Sequence, residues 1–311
     1  MASSLGLAIP RGFSVVRGLV MTARPWQWTK NLLIFLPLVF SLGERWTLTD
    51  LNMFAGLAGR STLTFFAFCA ISSSVYFFND IMDRERDRLH PRKRFRPIAS
   101  NVIPVSLANI VAVGLVAVGL VGSVIVGFEV ALVALVYLIA SFAYTTKVKH
   151  LVILDVIILS SGFIFRVVAG SMAIDVVTSP WLYITVGSGA LFLVLGKRLG
   201  ELKTAGDSAA TQREVLGLYT PEILNQLITI TATSTMMAYA LYTFSASNVP
   251  ADKSMMLTIP FVVFGLFRYL FIMSKSVDSE SPELLLIKDL PLLASISLWG
   301  ITALAVMAVA R

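Results

Sequence analysis

The chain has 311 residues, of which 57% are hydrophobic and only 14% charged, and its mean hydropathy is +0.82. A soluble protein carries roughly a quarter charged residues, so this composition excludes one and points to an integral membrane protein. The net charge of +7 is mostly an orientation signal, as its placement below shows, and implies no nucleic-acid partner.

Residues 1–24 carry Arg11, Arg17 and Arg24 but no sustained apolar core and no small-residue cleavage site. They are expected to stay as a cytoplasmic segment ahead of one membrane domain over 25–311. Apolar runs then follow at 28–43, 53–79, 103–127, 128–146, 152–173, 180–196, 221–246, 255–273 and 289–310. The first is short and holds Pro37, and only "GFE" separates the third from the fourth. The expected fold is all-α, a polytopic bundle of about nine transmembrane helices.

With that count, the loops near 80–101, 147–151, 197–220 and 274–288 lie on the side of the N-terminus. That side holds Lys30, seven basic residues between Arg84 and Arg96, Lys147, Lys149, Lys197, Arg198, Lys203, Arg213, Lys275 and Lys288. The opposite side receives only Arg45, Lys253 and Arg311. Such a bias places the basic loops in the cytoplasm. Cys69, the only cysteine, sits in an apolar run, which excludes an intramolecular disulfide or a cysteine cluster.

The second run ends in "NDIMDRERDRLHPRKRFRPIAS", residues 79–100. Asp80, Asp83 and Asp87, spaced three and then four apart, share one helix face, where their charges repel unless a cation sits among them. Oxygen-only ligands suit Mg²⁺, which binds through a few carboxylates and substrate phosphates. The alternative is a solvated face neutralised by Arg84, Arg86 and Arg88. In the fifth run Asp155, Gly162 and Arg166 lie within about 40° of one another around the helix. An intramembrane arginine is costly in lipid, so this face looks into the bundle, and Arg166 either contacts a phosphate, holds Asp155, or forms a structural pair with it through other helices. Arg60 and Arg268 lie near span ends and are expected to snorkel. His90 and His150 have no acidic partners at ligand spacing.

The order Asn79-Asp80-x-x-Asp83-x-x-x-Asp87 followed by Arg94-x-Arg96-Pro97-Ile98 closely resembles the first aspartate-rich motif of the UbiA superfamily of intramembrane prenyltransferases. "RPWQWTKN" at 24–31 and "YTTKVKHLVILDVIILSSGFIFRVVAG" at 144–170 fit the same resemblance. Asn101 departs from it, since relatives usually have glycine there, but asparagine also tolerates the left-handed conformation. Prenyl-diphosphate transferases of this superfamily carry a second aspartate-rich motif in the loop after the sixth span. Here that loop reads "GKRLGELKTAGDSAATQREVLG", without paired aspartates and with Lys197, Arg198 and Glu201 instead.

This is similar to the decaprenyl-phosphate phosphoribosyltransferase branch. That resemblance implies Mg²⁺ as cofactor and a donor, 5-phosphoribosyl 1-diphosphate, whose extra phosphate needs more cationic contacts. It implies a polyprenyl phosphate as acceptor, for a lipid-linked pentose donor used in cell-wall polysaccharide synthesis at the bacterial plasma membrane. Asp80, Asp83 and Asp87 would be the catalytic carboxylates and, with Asn79, the metal ligands. Lys30, Asn79, Arg94, Arg96, Tyr144, Lys147, Asp155, Arg166, Lys197, Arg198 and Glu201 would contact substrate. Lys197 and Arg198 also fit a bare cationic pair at a helix end. Two other functions stay open: a prenyltransferase acting on an aromatic quinone precursor, and a transporter. Membrane lipid is an expected partner, and a homo-oligomer is left open.

Overall fold

A computed structural model describes residues 15–91, 93–205, 214–275 and 288–309. The expected N-terminal segment is therefore seen only from Val15, and Arg11, Arg92, Arg213 and Arg311 lie outside the described residues. The chain runs through α1 (Val15–Ala23), a 3₁₀ helix (Pro25–Phe35), α2 (Leu36–Phe40), α3 (Leu51–Met82) and α4 (Arg84–Leu89). It continues through α5 (Val105–Val126), α6 (Phe128–Thr146), α7 (Leu154–Ile174), α8 (Pro180–Ala205), α9 (Pro221–Ser245), α10 (Ile259–Lys275) and α11 (Leu290–Val309). Among the described residues there is no β-strand, only an isolated bridge between Leu42 and Trp46.

Eight helices, α3 and α5 to α11, are long and apolar enough to cross a membrane. The short first run is long enough for a further crossing because it is stretched. A 3₁₀ helix rises about 2.0 Å per residue against about 1.5 Å for an α-helix. Its 11 residues and the 5 of α2 therefore span roughly 30 Å, the thickness of a hydrocarbon core. So long a 3₁₀ run is unusual and needs outside support. Part of it comes from α7, where Gly170 lies so close to the Ile34 carbonyl that a Cβ would overlap it. Gly119 similarly lets α5 press onto Ile71 and the Ala67 carbonyl of α3.

The local starts and stops follow the sequence. Asp50 caps α3, its carboxylate accepting from the Met53 N–H at 2.9 Å, and the Thr220 side chain caps α9, with Pro221 in the first turn. Ile34, Phe68, Ile71, Tyr137 and Ala169 form a core between the first crossing, α3, α6 and α7. A second core joins Val156 of α7 to Phe192, Leu195, Ile228 and Tyr269 of α8 to α10.

The arginines expected to snorkel, Arg60 exposed and Arg268 half-buried, also find protein acceptors. Arg60 donates to the carbonyls of Val126 and Ala173 at the C-terminal ends of α5 and α7. Arg268 pairs with Asp289 through both guanidinium edges, at 3.1 and 2.8 Å. In each case an acceptor within reach adds to the solvation of the head group.

Candidate active site

The aspartate motif sits where α3 breaks. The helix ends at Met82, and Asp83 joins it to α4, while the near-helical bond from Asp87 N–H to Asp83 C=O (2.8 Å) persists. Asp80 and Asp87 consequently still converge. One guanidinium nitrogen, Nη1 of Arg96, donates to Asp80 Oδ1 at 3.1 Å and to Asp87 Oδ2 at 2.7 Å. Arg24 adds a second cation on Asp80 Oδ1 at 2.6 Å and lies over the Tyr76 ring. Both carboxylates are buried, and desolvation pushes the Asp87 carboxyl above the ordinary range against the pull of Arg96. Asp83 turns elsewhere, to Lys149 Nζ at 2.7 Å. Asn79 lends its backbone carbonyl to Asp83.

The turn predicted at Asn101 survives as expected, with φ of 62°. The asparagine also does what glycine cannot: its Oδ1 accepts from Arg84 (2.7 Å) and Arg88 (2.9 Å), pinning α4 to the loop that brings Arg96 back.

A second charged group builds on α7 and α8. Asp155 is fully buried, and its Oδ2 accepts from Arg198 Nε at 3.0 Å while its Oδ1 accepts from the Tyr219 hydroxyl at 2.8 Å. Arg198, also buried, donates to Glu201 (2.6 Å) and to the Tyr144 hydroxyl (3.2 Å). Lys93 adjoins both groups, feeling the charges of Arg96, Asp87, Glu201 and Asp83. Desolvation first, and then Arg96, hold its ammonium below the usual lysine range. Lys147 is exposed and Lys197 half-buried. Arg94 lies exposed over the Phe95 ring, and Lys30 is half-buried on the 3₁₀ stretch.

Arg166 belongs to neither group. Of the alternatives, a direct hold on Asp155 is not made: Arg166 donates to Asn31 Oδ1 (2.6 Å), the Gly162 carbonyl and the Tyr137 hydroxyl (3.1 Å), with its guanidinium over the Tyr137 ring. The seven- and four-residue spacing does put both residues in the interior, but three turns apart, each finds a nearer partner. Arg166 thereby ties the 3₁₀ crossing to α6 and α7. Sequence reasoning passed over Lys149, Arg24 and Tyr219 as site residues. Arg24 lay inside the quoted "RPWQWTKN", whereas nothing local marks Tyr219.

The charged groups can hold anions and cations. Within the described residues no three acidic, histidine or cysteine side chains gather into one metal-ligating group, so the four expected ligands do not form a single shell. Asp80 and Asp87 do already share one cation, the Arg96 nitrogen. Two carboxylates completed by phosphate oxygens suit Mg²⁺, so the residues present fit a divalent ion at that point.

The profile of the UbiA prenyltransferase family matches residues 56–288. The chain belongs to the UbiA prenyltransferase family. Decaprenyl-phosphate phosphoribosyltransferase of Mycolicibacterium smegmatis is 34% identical over 289 residues, 89% of this chain and 88% of the relative. The protein of the same name from Corynebacterium glutamicum is 33% identical over 260 residues, 81% and 75% of the two chains. In fold, a UbiA homologue from Archaeoglobus fulgidus, solved bound to GPP and Mg²⁺, matches with TM-score 0.70 at 18% identity, covering 94% of this chain and 100% of that one. As a UbiA-family protein with these apolar helices, the chain is an integral membrane protein and an enzyme.

Proposed function

We propose that this UbiA-family enzyme transfers the 5-phosphoribosyl group of 5-phosphoribosyl 1-diphosphate to a polyprenyl phosphate, releasing diphosphate. The observation that carries the reading is the near-full-length similarity to relatives named for that reaction. The site supports it: where a second aspartate pair would hold a prenyl diphosphate, α8 carries Lys197 and sets Arg198 between Asp155 and Glu201. The aromatic prenyltransferase and the transporter have no comparable support.

The substrates set the location. A polyprenyl tail dissolves only in the bilayer and the donor only in water, so the reacting atoms meet at the membrane boundary. Lysine and arginine crowd the end of the bundle that holds the aspartate motif, which orients that end to the cytoplasm of a bacterial plasma membrane. Asp80 and Asp87 would hold Mg²⁺, with Asn79 and Asp83 in support, and the ion when bound supplies positive charge against the departing diphosphate. Arg24, Arg96 and Lys149 pair with the motif's aspartates and Lys93 lies near them; with Lys147 and Lys197 they would bind phosphate oxygens. The C1–O bond of ribose breaks with its electron pair leaving on the diphosphate, while an oxygen of the acceptor phosphate bonds to C1. The acceptor is already an anion at neutral pH, so no strong base is required, and in-line attack converts the α-configured donor to a β-linked product.

The test supplies purified protein with radiolabelled 5-phosphoribosyl 1-diphosphate and a polyprenyl phosphate. Label in the lipid phase is expected, lost on chelation of divalent metal. Label that stays in water, or transfer only from a prenyl diphosphate to an aromatic ring, overturns the reading.

A further inference from the structure

The N-terminus of α7 begins on a strained turn. Ile153 has φ 68° and ψ −46°, and the Leu154 N–H bonds back to the Val152 carbonyl at 2.8 Å. This is a γ-turn of the rare positive-φ kind, and a β-branched residue at its centre is a true outlier. Strain of this sort persists only where the surroundings over-determine it, and it gathers at functional sites. The surroundings here are one side chain, Tyr219, which reaches α7 from the segment before α9. Its hydroxyl accepts the Ile153 N–H at 2.8 Å and donates to Asp155 Oδ1 at 2.8 Å. Asp155 divides its two oxygens between Tyr219 and Arg198, and Arg198 reaches Tyr144 and Glu201 with its remaining edges.

We propose that Tyr219 is a positioning residue for the donor side of the site: it locks the Ile153 turn and the Asp155 carboxylate in one geometry, and Asp155 fixes Arg198. Arg198 is 1% exposed and faces two carboxylates, so it acts by holding the cytoplasmic end of α8 in register. The half-buried Lys197 beside it, for which no ion pair is formed among the described residues, is then the cation aimed at the donor. Burial pushes the Tyr219 hydroxyl up to about 12, so it stays protonated and able to donate to Asp155 at neutral pH. The assignment rests on the donor proposed above, while the latch itself stands on geometry alone.

The test compares wild type with Tyr219→Phe, which removes one hydroxyl and keeps the ring. Amide hydrogen exchange on Ile153 to Ile157 is expected to quicken in the variant, with the midpoint of thermal unfolding lowered only modestly. The apparent KM for 5-phosphoribosyl 1-diphosphate is expected to rise about 10-fold, the size of one hydrogen bond to a buried charge, and that for polyprenyl phosphate to stay put. Asp155→Asn combined with Tyr219→Phe should lose less than the sum of the two single variants, because the tyrosine acts in part through that carboxylate. Unchanged exchange overturns the latch whatever the substrate is. Quickened exchange with equal effects on both KM values, or with additive losses in the double variant, overturns the positioning role. A wild-type protein inert with this donor overturns the proposed function instead, and leaves the exchange result to judge the latch.

Discussion

The two ends of the bundle use arginine in opposite ways. At the motif end Arg24, Arg96 and Arg198, together with Lys149, meet carboxylates. At the other end Arg45 and Arg60 donate to the backbone carbonyls of Ile174, Ala173 and Val126, and the nearest carboxylate to Arg45 is an exposed Asp175 at 3.7 Å. A cation paired with a carboxylate can trade partners, since a phosphate can replace the carboxylate and a metal can replace the cation. An arginine that closes a helix C-terminus has no such exchange, because the carbonyls it leaves would be orphaned. Arg198 apart, which is buried and holds α8, the motif end is therefore built for ligands and the other end for holding helices together. Arg166 is a third kind, enclosed by neutral partners midway along α7.

The sharpest way to break this contrast is at Arg198. Arg198→Met keeps the bulk but leaves Asp155 and Glu201 facing each other without a cation, and breaking a buried pair from one side costs about 3–5 kcal/mol. The variant should unfold in detergent well below wild type and lose transfer activity. A Met variant as stable as wild type would mean that Asp155 takes up a proton or finds another partner without strain.

Asp80→Ala comes next and acts on activity more than on stability. The two arginines it releases are 21% and 27% exposed at their side chains, so water can serve them. Turnover should fall about 100-fold or more, as when one preorganised electrostatic group is removed, while the protein still elutes as a single folded species. Full turnover in this variant would remove the motif from the chemistry.

At the opposite end Arg60→Ala should cost about 1–2 kcal/mol of stability through the two carbonyls left open and should leave both substrates' KM values alone. A shift in either KM would show that the outer end communicates with the site, and the contrast between the two ends would fail.

How much of this the sequence disclosed depends on the range of each interaction. The crossings, the aspartate motif and the left-handed turn at Asn101 are local, and periodicity, spacing and residue type report local geometry. The pairs Arg24–Asp80, Lys149–Asp83 and Tyr219–Asp155 join residues 56, 66 and 64 positions apart, and a single sequence carries no sign of which distant side chain will arrive. The first crossing was legible as a short apolar run but not as a 3₁₀ helix, because its stretching is imposed from outside by Arg166 on Asn31 and by Gly170 on Ile34. The spacing of Asp155 and Arg166 left their partners open for the same reason: a shared face on one helix says that two residues look inward, not what they meet there.

The smallest expected effect lies at Asn101, and it separates a ligand-directed contact from a structural one within the motif end itself. Asn101→Gly keeps the backbone at ease, since glycine adopts positive φ without penalty, but removes the amide oxygen that accepts from Arg84 and Arg88. Both bonds are exposed, and exposed contacts of this kind contribute little because water replaces them. The loss should stay within about 1 kcal/mol, seen as a small fall in the thermal midpoint, with turnover close to wild type. A larger loss, or a fall in turnover without one in stability, would mean that holding Arg84 and Arg88 on this turn sets where Arg96 sits between Asp80 and Asp87. In that case the loop belongs to the site and not merely to its support.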